Sequence, residues 1–172
     1  MNKAMSRDII DELQADWSAQ RPDLDPAPMG VVLRVQMIAK MLGEEVSQCL
    51  QVFNLQWWQY DVLSALRRQG EPYTLAASEL AASGMLTSGA VTNRIDRLEQ
   101  AGLVKRVQDP ADRRRVLVRL SAEGLRHVDA ATEARFEAAG RALSGLSRTQ
   151  RRQLGDLLRA FLQSCENGYD GR

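Results

Sequence analysis

Apolar residues recur along the chain at two distinct periods, and the switch between them marks a change of architecture. Between Ser6 and Gln20, the residues Ile9, Ile10, Leu13 and Trp17 return at helical spacing, with Asp8 and Asp11 near the start, where the helix dipole favours anions. The segment RPDLDPAPMG then breaks the pattern with three prolines, and Pro28 suits the first turn of a second helix running to about Leu50. That helix carries Val32, Val35, Ala39, Leu42, Val46 and Leu50 as one stripe. A third helix, from about Leu55 to Arg68, turns Trp58, Val62, Ala65 and Leu66 inward and closes at Gly70, which tolerates a left-handed cap.

Downstream of Pro72, Thr74 is placed to cap a short Ala-rich helix reaching Ala82. Ser83 and Gly84 make a turn, and Thr87 or Ser88 caps a fifth helix that ends near Gly102. Two helices joined by a short Gly-containing turn are the pattern of a helix-turn-helix. After Gly102 the period falls to two: Val104–Gln108 and Val116–Leu120 read as strands, joined by the turn-forming DPADRRR. Val116, Val118 and Leu120 are expected to point inward. Ser121 caps a long helix with Leu125, Val128, Thr132, Phe136, Ala139 and Leu143. Ser147 and Gln150 then form a capping box for a last helix bearing Leu154, Leu157, Leu158, Phe161 and Leu162. The expected fold is mainly α with a small β-hairpin wing, a winged helix-turn-helix. Its terminal helices carry apolar stripes that one copy cannot cover, so they are expected to form a homodimer interface.

Net charge is only +1 over 172 residues, so its distribution matters more than its sum. Met85–Leu120 holds eight basic and four acidic residues, leaving fifteen basic and eighteen acidic elsewhere. A local basic surface on a mildly acidic body suits contact with phosphates. On the fifth helix Val91, Ile95 and Leu98 share one face, while Gly89, Asn93, Arg97 and Gln100 lie opposite. Asn93 and Arg97 are side chains matched to base edges in a major groove, and Thr87, Ser88 and the helix amides suit phosphate oxygens. Arg113, Arg114 and Arg115 at the hairpin tip form a cationic probe sized for a minor groove, with Asp112 placed to orient one of them.

Other chemistries find little footing. Cys49 and Cys165 lie far apart with no CxxC partner, and His127 has no ligand-spaced neighbours, so no metal site, cofactor or catalytic group is expected. No run is long and apolar enough for a membrane span, and a soluble cytoplasmic protein is expected.

The segment LTSGAVTNRIDRLEQAGLVKRVQDPADRRRVLVRLSAEG resembles the MarR family of bacterial repressors almost throughout. The resemblance implies one domain over residues 1–172, with 6–54 and 121–165 as dimerisation helices and 55–120 as the DNA-binding lobe. It implies a homodimer on a pseudo-palindromic double-stranded operator, with Asp112 and Arg114 as the wing Asp and minor-groove Arg, and release of DNA by a small ligand. The first helix with Trp17, RPDLDPAPM, WWQYDVL and TNRIDRLE further resemble the urate-responsive branch, whose ligand residues map to Trp17, Asp61, Arg94 and Arg106.

On the helical wheel Arg94 flanks the apolar face and so can point toward the protein body. A planar anion needs a cation, a hydrogen-bond acceptor and an aromatic wall, which Arg94 or Arg106, Asp61 and Trp17 can supply. Taken singly, Trp17 serves equally as core filler, Asp61 as a capping or salt-bridging residue and Arg106 as a phosphate contact. Hydroxynicotinate- or hydroxybenzoate-type acids fit the same four residues, and oxidation of Cys49 is the alternative trigger.

Overall fold

The structure, a computed structural model, describes residues 7–82, 88–109, 112 and 115–169, without the side chains of 81, 82, 88–91 and 169. The expected Ser83–Gly84 turn, Thr87, Arg113 and Arg114, and the side chains of Val91, Ser88 and Gly89, lie outside the described residues. The chain divides into two compact units, Met1–Gln48 and Cys49–Arg172.

The first unit holds α1 (Ile9–Gln20) and most of α2 (Ala27–Gln51). Asp8 is the N-cap of α1: its carboxylate accepts from the Ile10 and Asp11 amides at 2.9 and 3.0 Å, while Asp11 accepts from the Asp8 amide at 2.9 Å. This capping box also anchors α2, because Arg34 donates to Asp8 at 2.8 Å and to Asp11 at 2.7 Å. Its guanidinium holds the Asp8 carboxyl below the ordinary carboxylate range. Of the expected apolar stripe of α2, Val32, Ala39 and Leu42 are exposed, Val35 and Val46 half-buried and Leu50 buried, and Met37, Ile38 and Met41 beside it are exposed as well.

The second unit contains α3 (Trp57–Arg67), β1 (Thr74–Ala76), α4 (Ala77–Ala82), α5 (Ser88–Gln100), β2 (Val104–Gln108), β3 (Val116–Leu120), α6 (Ala122–Ala142) and α7 (Arg148–Tyr169). Its core is built from Leu50, Leu63, Leu66, Leu80, Ile95, Leu98, Val118 and Val128, each almost completely buried. The result is mainly helical with a small antiparallel sheet in the order β1-β3-β2. Val104 faces Leu120 and Gln108 faces Val116 across the hairpin.

Three expectations change. Thr74 does not cap a helix; it pairs with Arg119 in β1, and its hydroxyl accepts from Arg119 Nε at 3.0 Å. The second edge of β3 would otherwise leave its peptide groups unpaired, and β1 satisfies them. The following helix starts at Ala77, with Glu79 accepting from the Ala76 amide at 2.7 Å. Val116 is 47% exposed because the hairpin has by then run past the body, whereas Val118 and Leu120 are buried as expected. Trp58 is only half-buried.

The link between wing and α6 is tight. Ser121 Oγ donates to the Gly102 carbonyl at 2.6 Å and accepts from the Gly124 amide at 2.9 Å, and the Ser121 amide donates to the Leu103 carbonyl at 3.0 Å. At the other end, Ser147 and Gln150 form the expected capping box for α7, at 2.9 and 3.3 Å. Leu154, Leu157, Leu158, Phe161 and Leu162 of α7 are all exposed, and no described residue of that helix is buried.

Candidate nucleic-acid interface and ligand cleft

α5 is amphipathic in the sense expected. Ile95 and Leu98 are buried, while Asn93, Arg97 and Gln100 are exposed on the opposite face. Exposed polar side chains on a rigid helix are free to meet base edges, and the helix needs none of them for its own packing. Asp112 is exposed at the wing. Arg115, also exposed, lies 3.7 Å from Glu79 and 3.8 Å from Asp109, a loose arrangement in which neither carboxylate holds it in a short pair.

The wing is tied to α5 from the other strand. Arg106 Nη2 donates to Asp96 at 2.5 Å, Arg106 Nη1 pairs with Glu99, and Glu99 accepts from the Arg106 amide at 2.9 Å. The Arg106 amide, and then its guanidinium, hold the Glu99 carboxyl below its usual range. Thus Arg106 joins β2 to the C-terminal half of α5, so that the hairpin and this helix are held to one another.

A second feature is an open cleft of about 470 Å³ beside α3 and α6. Its lining residues Trp57, Tyr60, Asp61 and Ser64 of α3 and Arg68 at the helix C-cap follow the i, i+3, i+4, i+7 pattern of one helical face. From α6 come Arg135, Phe136 and Ala139. Arg135 lies 4.6 Å from the Tyr60 ring centre and 5.6 Å from that of Trp57. The Tyr60 hydroxyl is within 3.1 Å of Thr132 Oγ1, which fixes the ring under the guanidinium. Arg68 donates to Ser64 Oγ at 2.8 Å.

Asp61 is half-buried, and burial raises its pKa. Arg135, Arg68, a hydrogen bond from Trp57 and Arg94 work against this without cancelling it. Arg94 does turn inward, stacking 5.5 Å from the Trp58 ring centre, and so acts on Asp61 from α5. Trp58 is held in turn by its N–H bond to Gln56 Oε1 at 2.5 Å.

Of the four residues mapped to a ligand, Asp61 and Arg94 therefore come within electrostatic reach of one another. Arg106 is engaged by Asp96 and Glu99. Trp17 lies in the first unit, where it is 56% exposed. The residues that sequence reasoning missed are Trp57, Tyr60, Arg68 and Arg135. A signal for Arg135 was present: Gly124, Val128, Ala131 and Ala138 are the buried stripe of α6, and position 135 continues that spacing with a cation.

Among the described residues no helix is long and apolar enough to cross a membrane. Nor does any group of three or more His, Cys, Asp or Glu among them gather as metal ligands.

The chain is similar to known proteins in sequence and in fold. A MarR family sequence model matches residues 53–115, which span α3 through the wing turn. The HTH-type transcriptional regulator PecS of Dickeya dadantii (strain 3937) is 30% identical over 149 residues, 87% of this chain and 90% of that relative. CouR from Rhodococcus jostii RHA1, solved bound to p-coumaroyl-CoA, is 29% identical with a TM-score of 0.65, over 76% of this chain and 90% of that one. A mutant MarR from E. coli complexed with operator DNA gives a TM-score of 0.67 at 22% identity, over 81% of this chain and 98% of that one, a likeness of fold.

Proposed function

The chain belongs to the MarR family of transcriptional regulators, and from that premise we propose that it is a homodimeric repressor released from its operator by urate or a similar planar anion. The observation that carries the ligand reading is Arg94. It sits on α5 at the border between the exposed face of Asn93 and Arg97 and the buried face of Ile95 and Leu98, and its guanidinium stacks on Trp58 and acts on Asp61. A ligand that recruits Arg94 pulls on the recognition helix directly. Differential affinity for the two positions of that helix is what couples the two binding events.

The DNA-reading surface proposed is Asn93 and Arg97 in the major groove, with Thr87, Ser88 and Gly89 at the helix start against phosphates. The wing residues Asp112, Arg113, Arg114 and Arg115 serve the minor groove. In the ligand site Asp61 accepts from ring N–H groups and Arg94 supplies positive charge; Trp17 and Arg106 join by resemblance. For Arg106 to reach a ligand it must leave Asp96 and Glu99, which would free the wing from α5. Dimerisation is supported by the uncovered Met37, Ile38 and Met41 of α2 and Leu157 and Leu162 of α7, since exposed apolar faces of this kind call for a partner surface. Two recognition helices then meet successive major grooves roughly 34 Å apart.

A second reading of the ligand, a hydroxybenzoate- or hydroxynicotinate-type acid, meets the same need for a flat ring, a negative charge and a hydrogen-bond donor; CouR, solved with p-coumaroyl-CoA, is a similar protein that takes an aromatic acyl thioester. Both readings are tested by fluorescence anisotropy on a duplex that the protein selects from a random pool. Urate or 2-hydroxybenzoate should weaken binding several-fold to about a hundredfold, as expected for ~1–3 kcal/mol of coupling. Asp61→Asn should bind the duplex normally and lose the response. An affinity unchanged by both anions would refute both readings.

A further inference from the structure

We propose that Arg135 on α6 anchors the ligand's negative charge alongside Arg94, making the cleft selective for a planar anion over a neutral ring of the same shape. This inference rests on the ligand-responsive reading above and assigns the charge recognition within it.

The argument begins with the balance of charge. Arg135, Arg68 and Arg94 all act on Asp61, so three cations surround one carboxylate. Several other arginines of this unit pair with carboxylates: Arg67 with Asp129 at 2.6 Å, Arg106 with Asp96 and Glu99, Arg126 with Glu123. Among the described residues, none of the three around Asp61 has a carboxylate within 4.0 Å of its guanidinium. Arg68 is turned to Ser64 Oγ and Arg94 lies over Trp58, whereas Arg135 has only aromatic faces beneath it. Its five N–H donors have no carboxylate of the described residues within 4.0 Å, and the side chain lines an open cleft.

Geometry then specifies the ligand. A guanidinium laid over Tyr60 and Trp57 keeps its plane and its in-plane donors, the arrangement suited to a bidentate contact with a delocalised anion. The same rings and Phe136 offer apolar walls to a flat molecule, and about 470 Å³ accommodates one or two fused rings. Asp61 faces the same space as a hydrogen-bond acceptor, so the preferred ligand carries an N–H or O–H donor as well as the negative charge. A lysine at 135 would keep the charge but lose the planar fork and the stacking.

Calorimetry on the full-length protein tests this with urate and 2-hydroxybenzoate as anionic probes and hypoxanthine as the neutral planar probe. The wild type should bind at least one anion tenfold or more tighter than hypoxanthine. Arg135→Gln should lose at least tenfold in anion affinity and bind hypoxanthine as before, with unchanged DNA affinity in the absence of ligand. Arg135→Lys should show an intermediate loss, and it carries the test if the glutamine variant fails to fold. If the wild type binds an anion and both Arg135 variants bind it equally well, Arg135 is a surface cover for the aromatic rings and the inference is wrong while the ligand-responsive reading stands. If neither anion binds the wild type, both fail.

Discussion

Replacing Gly124 by alanine should destabilise the protein, although the same change normally strengthens a helix. A Cβ at this position would stand 1.9 Å from the Leu103 carbonyl oxygen and 2.8 Å from its carbon. Carbon and oxygen need roughly 3.3 Å, so α6 and the start of β2 must separate by more than about 1 Å. The oxygen cannot swing aside cheaply, because it accepts from the Ser121 amide and belongs to a residue that is itself buried. Helix propensity favours Ala over Gly by about 0.8–1.0 kcal/mol. Against it, overpacking of this kind costs ~1–3 kcal/mol, and a backbone obstacle places the cost near the upper end. The expected net loss is therefore about 1–2 kcal/mol, or roughly 2–8 °C in melting temperature. Gly140, on the same helix with nothing within 4 Å of its added Cβ, is the control, and Gly140→Ala should stabilise by up to ~1 kcal/mol. Urea unfolding at one fixed protein concentration measures both, since dimerisation makes the midpoint concentration-dependent. If Gly124→Ala stabilises as Gly140→Ala does, the close seating of α6 on the wing is refuted.

Further outcomes are expected at the two functional surfaces. Arg97→Ala and Asn93→Ala should each weaken binding to the selected duplex by ~1–3 kcal/mol in an anisotropy titration, with little effect on the melting temperature, because neither side chain packs against the core. Asp61→Asn should melt at the same temperature as the wild type or higher: burial raises the Asp61 pKa, so its charged form costs folding stability above that pKa, and a neutral isostere removes the cost. A clear drop in its melting temperature would show that Asp61 serves the fold more than the ligand. Glu99→Gln should flatten the acid limb of a pH–stability profile. The lowered Glu99 pKa gives a contribution present above its unfolded value near 4.5 and lost as pH falls through the lower folded one, so an identical limb in the variant would remove the Glu99–Arg106 link from the account.

Elements with a clean period were legible in the sequence. Val104–Gln108 and Val116–Leu120 appear at the expected bounds, and the Asp8/Asp11 and Ser147/Gln150 ends are capped by those side chains. What local pattern could not convey was pairing at a distance. Three residues around Thr74 have no period of their own, and they become a strand only because β3 has a free edge forty residues later. The same limit applied to the cleft. Asp61 and Arg94 were recognisable, but Arg135 acquires its role from rings on α3, seventy-five residues back in the chain for Tyr60. The engagement of Arg106 by Asp96 and Glu99 was hidden for a related reason, since opposite charges seven and ten residues away meet only when the hairpin folds back on α5.

The central claim is that occupancy of the cleft moves the recognition helix through Arg94. Arg94→Met, which keeps an apolar chain over Trp58 and removes the charge, isolates that step. The measurement is duplex affinity by anisotropy with and without saturating urate, or 2-hydroxybenzoate if that binds better, in the wild type and in this variant, with calorimetry confirming that the ligand occupies both. The account predicts a fall of several-fold to about a hundredfold in the wild type and little or no change in Arg94→Met. A ligand that occupies the wild-type protein and leaves its DNA affinity unchanged, or one that weakens DNA binding equally in Arg94→Met, would contradict it.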